Sequence, residues 1–202
     1  MQQPQRLSRP IQALAPMQAG QIRPLGMTPS VWQRHASPWS VYSRMATLPF
    51  LLAAIASHAW IGGAASAGLT LLVFVWLWIN PRLFPAPRKR DSWAARATYG
   101  ERIWINRAAV AIPQDEARVA LSLSLVTGLG FAAAIYGAYE INPLLGISGM
   151  IVTYAAKLVF LNRMARLYDK MRDAHPLYRF WTAEPQNDNA AGKAGKSLQK
   201  SA

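Results

Sequence analysis

The sequence predicts an all-α membrane protein: four transmembrane helices arranged as two hairpins, with amphipathic cytoplasmic helices beside them. Three observations carry that expectation. Residues 45 to 81 contain no acidic or basic side chain apart from His58, and residues 119 to 156 contain only Glu140. These runs are 37 and 38 residues long; as single helices each would reach about 55 Å, against a bilayer core about 30 Å thick. Each run must therefore turn back, and turn residues fall mid-run, Gly62-Gly63 in the first and Asn142-Pro143 in the second.

Taken in order, residues 1 to 30 are rich in Gln, Pro, Gly and Ser, carry no apolar period, and read as a disordered extension. Met27 is an alternative start, and no secretory signal core precedes the first run, which itself serves as the insertion signal. Helices are expected near 45–60 and 64–80. Both are short for a span of about twenty residues, which calls for local thinning or Trp anchoring. Trp60 sits at the first tip, ahead of the glycine pair. The second pair of helices is expected near 119–139 and 143–161, with Pro143 suited to the first turn of the last one.

Between the hairpins, residues 82 to 118 form a cytoplasmic loop containing a helix over 92–108. Ser92 caps it, and Trp93, Ala97, Gly100, Trp104 and Ala108 make one apolar stripe, with Arg96, Glu101 and Arg102 off it. Such a helix lies at the headgroup boundary or packs on the ends of the spans. Beyond the fourth span, Phe160, Met164, Leu167 and Met171 continue a helical stripe. Arg166–Asp169 and Lys170–Asp173 are candidate pairs three residues apart. Pro176 ends that helix, and Leu177, Tyr178, Phe180 and Trp181 form a short aromatic segment able to dock on the bundle. Residues 31 to 181 make the membrane domain, and residues 182 to 202 read as a disordered tail.

Charge sets the orientation. Lys and Arg number 22 against 9 acids, a net charge of +13, yet the mean hydropathy is only +0.07 because basic segments dilute the spans. Five basic residues precede the first run, eight lie in 82–118 and nine follow from Lys157 onward, with none at either tip. By the positive-inside rule both termini and the central loop are cytoplasmic, in a bacterial inner membrane. Seven of the eight tryptophans fall in the same half, with only Trp60 outside. The basic charge abuts the spans, so the expected partners are anionic lipids, a second copy or a membrane-protein partner, and not nucleic acid.

Five patches resemble an uncharacterised prokaryotic family of small membrane proteins, a domain of unknown function. They are His35-Ala36-Ser37-Pro38-Trp39-Ser40-Val41, Asn80-Pro81-Arg82-Leu83-Phe84-Pro85, Gly100-Glu101-Arg102-Ile103-Trp104-Ile105-Asn106-Arg107, Arg163-Met164-Ala165-Arg166-Leu167-Tyr168 and His175-Pro176-Leu177-Tyr178-Arg179-Phe180-Trp181. The resemblance spans about 34 to 181. Asn stands in such relatives where this chain has Ser37, and the resemblance implies no activity.

Candidate chemistry is thin. With no cysteine there are no disulfides, thiolate metal sites or Cys nucleophiles. His35 and His175 lie outside the apolar runs, where a haem would be wet, so no cofactor is expected. His35 beside Pro38-Trp39 suits a contact at the start of a helix or with a headgroup. Lys157 lies near the cytoplasmic end of the fourth span and can snorkel, and no ionisable group is placed at the midplane, which counts against a proton-coupled carrier. Glu101 with Arg102, Asn106 and Arg107 could form a polar site beneath Asn80-Pro81-Arg82. Small residues four apart, Gly62/Ser66, Gly63/Ala67, Gly130/Ala134 and Ala133/Gly137, permit close helix approach within or between chains. The expected function is a non-enzymatic accessory or scaffold role, in which Arg82, Arg88, Lys89, Arg90, Trp93, Arg102, Trp104 and Arg107 bind anionic lipid or a partner. A small oligomeric channel or carrier is the alternative, and a lipid-modifying enzyme at the cytoplasmic face is third.

Overall fold

A computed structural model describes residues 29–87, 91–108 and 111–174 together with Tyr178. Nearly all of the proposed N-terminal extension, the whole C-terminal tail, the trio Arg88, Lys89 and Arg90, and Pro176, Leu177, Phe180 and Trp181 lie outside the described residues. Every regular element among those described is helical: α1 (Pro29–His35), α2 (Pro38–Met45), α3 (Thr47–Ala56), α4 (His58–Ile61), α5 (Gly63–Leu83), α6 (Trp93–Ile105), α7 (Gln114–Tyr139) and α8 (Pro143–Met171). Four stretches are long and apolar enough to cross a membrane: Pro38–Ile61 with 24 residues, α5 with 21, α7 with 26 and α8 with 29. Their outward faces carry side chains such as Leu71, Leu129 and Leu144, exposed by 63, 72 and 81 %. Water would oppose that exposure along whole helices and hydrocarbon does not. The chain reads as a multi-pass membrane protein.

The helices outrun the apolar runs that announce them. The first crossing begins at Pro38, with that ring in the first turn, and is built from α2, α3 and α4, which meet at Ala46 and Ser57. At these joints Thr47 donates to the Ser43 carbonyl at 2.9 Å and Ser57 to that of Ala54 at 2.7 Å. Helix α7 starts at Gln114, with Asp115 and Glu116 in the first turn where the helix dipole favours acids. Helix α8 runs on to Met171, ten residues past the span expected to end near 161, along the helical stripe expected beyond it. Hydropathy marks where lipid stops, whereas backbone hydrogen bonding continues as long as charged side chains find partners.

Both tips depend on one unusual backbone residue. Gly62 adopts φ 81° and reverses the chain between α4 and α5. Between α7 and α8, Ile141 takes φ 52°, and the Asn142 side chain accepts from the Leu145 amide at 3.1 Å to cap α8 ahead of Pro143. The His58 and Tyr139 rings stack with centroids 5.2 Å apart, tying the two tips together.

Small residues set the helix spacing. Helices α7 and α8 lie side by side, and a Cβ at Gly137 would overlap the Gly146 amide. One at Gly149 would come within 2.5 Å of the Ala134 amide, and one at Gly130 within 2.9 Å of Thr153 N. Helix α5 packs on α3, where buried Ser66 donates to the Ala54 carbonyl at 2.8 Å. By contrast, Gly62, Gly63, Gly68 and Gly128 face open space.

The main core lies at the charged end of the bundle, where α6 crosses α8. Ala95, Ala97, Tyr99 and Ile103 of α6 are buried with Phe160, Met164, Leu167 and Tyr168 of α8, and Tyr178 is buried among them. Gly100 sits against the Met164 backbone so closely that a Cβ would overlap its carbonyl oxygen. Helix α6 therefore does not lay one stripe on a surface. Ala94, Ala95, Ala97, Thr98, Tyr99, Gly100, Arg102 and Ile103 are all buried, leaving Trp93 and Trp104 half-buried at the edges. Of the two placements open from sequence, it takes packing on the ends of the long helices.

Replacing Gly100 or Gly137 by Val should destabilise the protein by about 2 to 3 kcal/mol through overpacking against backbone that cannot yield. Gly68→Ala and Gly128→Ala, at positions with room, should be neutral or slightly stabilising through better helix propensity. Thermal unfolding in detergent, followed by loss of the monodisperse gel-filtration peak, checks both.

Candidate functional site

At the charged end, α2 and the last turn of α5 are joined by a closed set of hydrogen bonds. Fully buried Asn80 accepts from Ser40 Oγ at 2.8 Å and donates to Ser43 Oγ at 2.8 Å. Buried amides need both functions met, and here both are. Arg34 of α1 adds a bond to the Arg82 carbonyl at 3.2 Å. This arrangement fixes α2 so that Arg44, one turn beyond Ser40, turns inward.

Arg44 lies against His35. Its Nη1 donates to an imidazole nitrogen at 2.6 Å, its Nη2 to the His35 carbonyl at 3.2 Å, and its Nε to the Ser40 carbonyl at 2.9 Å. All three acceptors are neutral, and among the described residues no carboxylate lies within ion-pair distance of Arg44. Across from it, Lys157 of α8 pairs with Glu101 of α6 at 2.6 Å, with the Lys157 ammonium 4.5 Å from the Phe160 ring centroid. Tyr154, one turn before Lys157, donates to the Met45 carbonyl at 2.5 Å. These groups border a cavity of about 410 Å³ whose remaining wall is mostly apolar, with Leu48, Leu51, Phe74, Leu77 and Phe131 beside Thr47, Thr98, Thr127 and Thr153. Each of the four threonine hydroxyls donates to the carbonyl four residues earlier in the chain. The cavity has a polar head at the charged end and a mostly apolar body between the long helices.

Burial, and then the neighbouring Arg44 and Lys157, push the His35 imidazole down to about 3. The ring is neutral at ordinary pH and can accept from the guanidinium. Charge around the cavity therefore consists of two cations, Arg44 and Lys157, and one anion, Glu101.

The residues singled out from sequence do not converge on one site. Arg82 folds back over Trp78, its guanidinium 4.3 Å from the ring centroid, and bonds the Trp78 carbonyl. Arg107 lies 4.5 Å from the Trp104 centroid and donates to its carbonyl at 2.9 Å. Trp93 stacks on Tyr42 with centroids 6.5 Å apart. Arg102 is 3 % exposed and 5.6 Å from the Trp32 ring; burial lowers its guanidinium to about 9, against a rise from Tyr99. It is part of the core, with the aliphatic stem and planar head packed inside.

Three pairings differ from those expected by spacing. Asp169 takes Arg96 at 2.9 Å, and Lys170 takes Glu116 at 2.5 Å, with Arg163 3.7 Å from the other Glu116 oxygen. Glu101, expected among Arg102 and Arg107, takes Lys157 instead. In each case a partner on another helix displaces the local one. For Glu116 and Glu101, which are buried and partly buried, a cation held in place by packing is worth more than an exposed neighbour, whereas Asp169 and Arg96 meet at the surface. Among the described residues no three His, Asp or Glu side chains gather as a metal site.

A family model described as a family of unknown function, DUF6653, matches residues 17–186. The chain belongs to that family. The match begins ahead of Met27 and takes in both long apolar runs and the α6 segment. No curated protein and no solved structure matches this DUF6653 chain.

The cavity groups of this DUF6653 member were individually visible in sequence as a histidine before a Pro-Trp turn, a snorkelling lysine and an acid amid basic neighbours. Arg44 was visible only as the last charge before the first run. No spacing rule connects positions 35, 44, 101 and 157.

His35 gives a pH signature. Its folded value, about 3, lies below the ordinary 6.5, so the unfolded chain binds the extra proton first. Its contribution to stability is whole above pH 6.5 and is lost progressively as pH falls towards 3. Unfolding measured between pH 7.5 and about 5 should show a decline that His35→Gln flattens.

Proposed function

We propose that this protein is a non-enzymatic accessory or scaffold protein of a bacterial inner membrane. In this reading both termini and the segment between α5 and α7 face the cytoplasm, and a basic, Trp-rich end engages anionic lipid or a partner. The observation that carries it is the pairing of Arg82 with Trp78 and of Arg107 with Trp104, on separate helices of one end. An indole at the interface with a guanidinium on its face anchors the ring and presents positive charge to headgroup phosphate. Trp39, Trp76 and Trp78 are exposed at that end, as a membrane-facing belt requires. The channel alternative draws no support from the helix packing. Gly130 and Gly137, the small residues that a multimeric pore would use between chains, are engaged by α8 of the same chain.

Reconstituted protein should recruit phosphatidylglycerol over phosphatidylcholine in mixed bilayers, with the preference weakening as salt rises from 50 to 500 mM. The double change Arg82→Gln and Arg107→Gln should halve it or more. Equal enrichment of the two lipids would remove the lipid part of this reading. Because the chain has no cysteine, single cysteines at Gly62 and Asp173 can be labelled from either side of intact inner-membrane vesicles. Labelling from opposite sides is the expected result, with Asp173 cytoplasmic.

A further inference from the structure

The cavity bordered by His35, Arg44, Glu101 and Lys157 is built unlike the Arg/Trp pairs at the rim, and its charge does not cancel. Lys157 and Glu101 neutralise one another at 2.6 Å. Arg44 is left with neutral acceptors only: an imidazole nitrogen and two backbone carbonyls, which occupy three of its five N–H donors. Glu101 also acts on this guanidinium from a distance, but its contact partner is Lys157, so the three side chains together keep one surplus positive charge. A guanidinium held between helices with no anion in contact is costly, and an anion within reach of its two remaining donors would offset that cost. The polar head of the cavity therefore asks for a single negative charge.

The rest of the cavity says what that charge is attached to. Immediately below Arg44 the wall is Leu48, Leu51, Phe74, Leu77 and Phe131. A free inorganic anion would gain nothing from those side chains, whereas an acyl chain would bury itself among them. A volume of about 410 Å³ is too small for a whole diacyl lipid and suits a headgroup with the first carbons of one chain. The remainder has a way out, because the cavity is partly open and not enclosed, with Phe74 and Leu77 of α5 and Thr127 and Phe131 of α7 on its walls.

We propose that this cavity is a specific binding site for one anionic phospholipid, with the headgroup phosphate on Arg44 and Lys157. Glu101 accepts from headgroup hydroxyls when Lys157 turns to the phosphate, and the upper acyl chain lies against Leu51 and Phe131. This site requires that the long helices sit in a bilayer, and it does not depend on the surface Arg/Trp pairs. A phosphatidylglycerol headgroup supplies both the single charge and the hydroxyls. Phosphatidylcholine has no donors for Glu101 and leaves the surplus positive charge in place.

Native mass spectrometry of the delipidated full-length protein, titrated with dioleoyl phosphatidylglycerol, dioleoyl phosphatidylcholine or inorganic phosphate, tests the proposal. One phosphatidylglycerol per protomer should survive gas-phase activation that strips phosphatidylcholine, and inorganic phosphate should neither bind nor displace it. Arg44→Gln should weaken that binding about tenfold or more, the loss of one charge-assisted contact. Thr127→Phe, which fills the cavity from α7 without touching a charge, should weaken it comparably, and it decides the matter if Arg44→Gln fails to fold by circular dichroism. Arg82→Gln with Arg107→Gln should leave the one-to-one complex intact even while reducing general enrichment of anionic lipid. Equal retention of the two lipids, displacement by phosphate, or unchanged binding in folded Arg44→Gln and in Thr127→Phe would each overturn the site.

Discussion

The crossing of α6 over α8 at Gly100 and Met164 is the constraint on which the charged end of this protein is built. With no side chain at residue 100, the two backbones approach to a distance that any Cβ would forbid. Everything that α6 contributes follows from that approach. Position 101 is carried to Lys157, position 96 to Asp169, and position 102 is turned into the interior beside Trp32. A helix lying free on the membrane surface would place none of these, and the cavity would lose the acid that sits opposite Arg44.

Two regimes of packing meet in the molecule. Along the long helices the neighbours touch through small residues, Gly130, Gly137, Gly146 and Gly149 between α7 and α8, and Ser66 against α3, while the large apolar side chains point outward. Lipid offers no hydrophobic incentive to hide leucine, so backbone proximity and satisfied hydroxyls hold the helices together. At the charged end the order is reversed. Tyr99, Ile103, Met164 and Leu167 turn inward as they would in a water-soluble core, and Glu116 is buried where cations on another helix reach it. The step from one regime to the other falls near Lys157, and the cavity lies at that step.

That position gives the site its mixed character. Guanidinium, ammonium and carboxylate line one end, and mostly side-chain hydrocarbon lines the other. The Arg82/Trp78 and Arg107/Trp104 pairs are built differently, as separate pairs on the rim, each guanidinium bonded to the carbonyl of its own tryptophan. Rim contacts of this kind orient a protein in its membrane and favour a class of lipid, whereas an enclosed site can select a single molecule.

Hydropathy and charge are read along the chain, and they determined the four helices long and apolar enough to cross a membrane and the turns at Gly62 and Asn142. They also indicated that small residues would let helices approach closely. The sequence left open whether residues 92–108 lie on a surface or inside, because alanines at 94, 95 and 97 suit either and the stripe through Trp93 and Trp104 marks only the edges of the buried face. It misplaced the partners of Asp169, Lys170 and Glu101, since spacing along one helix knows nothing of a cation arriving from another. Only the tertiary structure decided that Arg44 turns inward, that Arg102 is buried and that His35, Arg44, Glu101 and Lys157 enclose one cavity. The physical reason is that solvation is a property of each residue and its near neighbours, while ion pairing and cavity shape depend on where separate helices cross, and that is fixed here by a glycine's missing side chain.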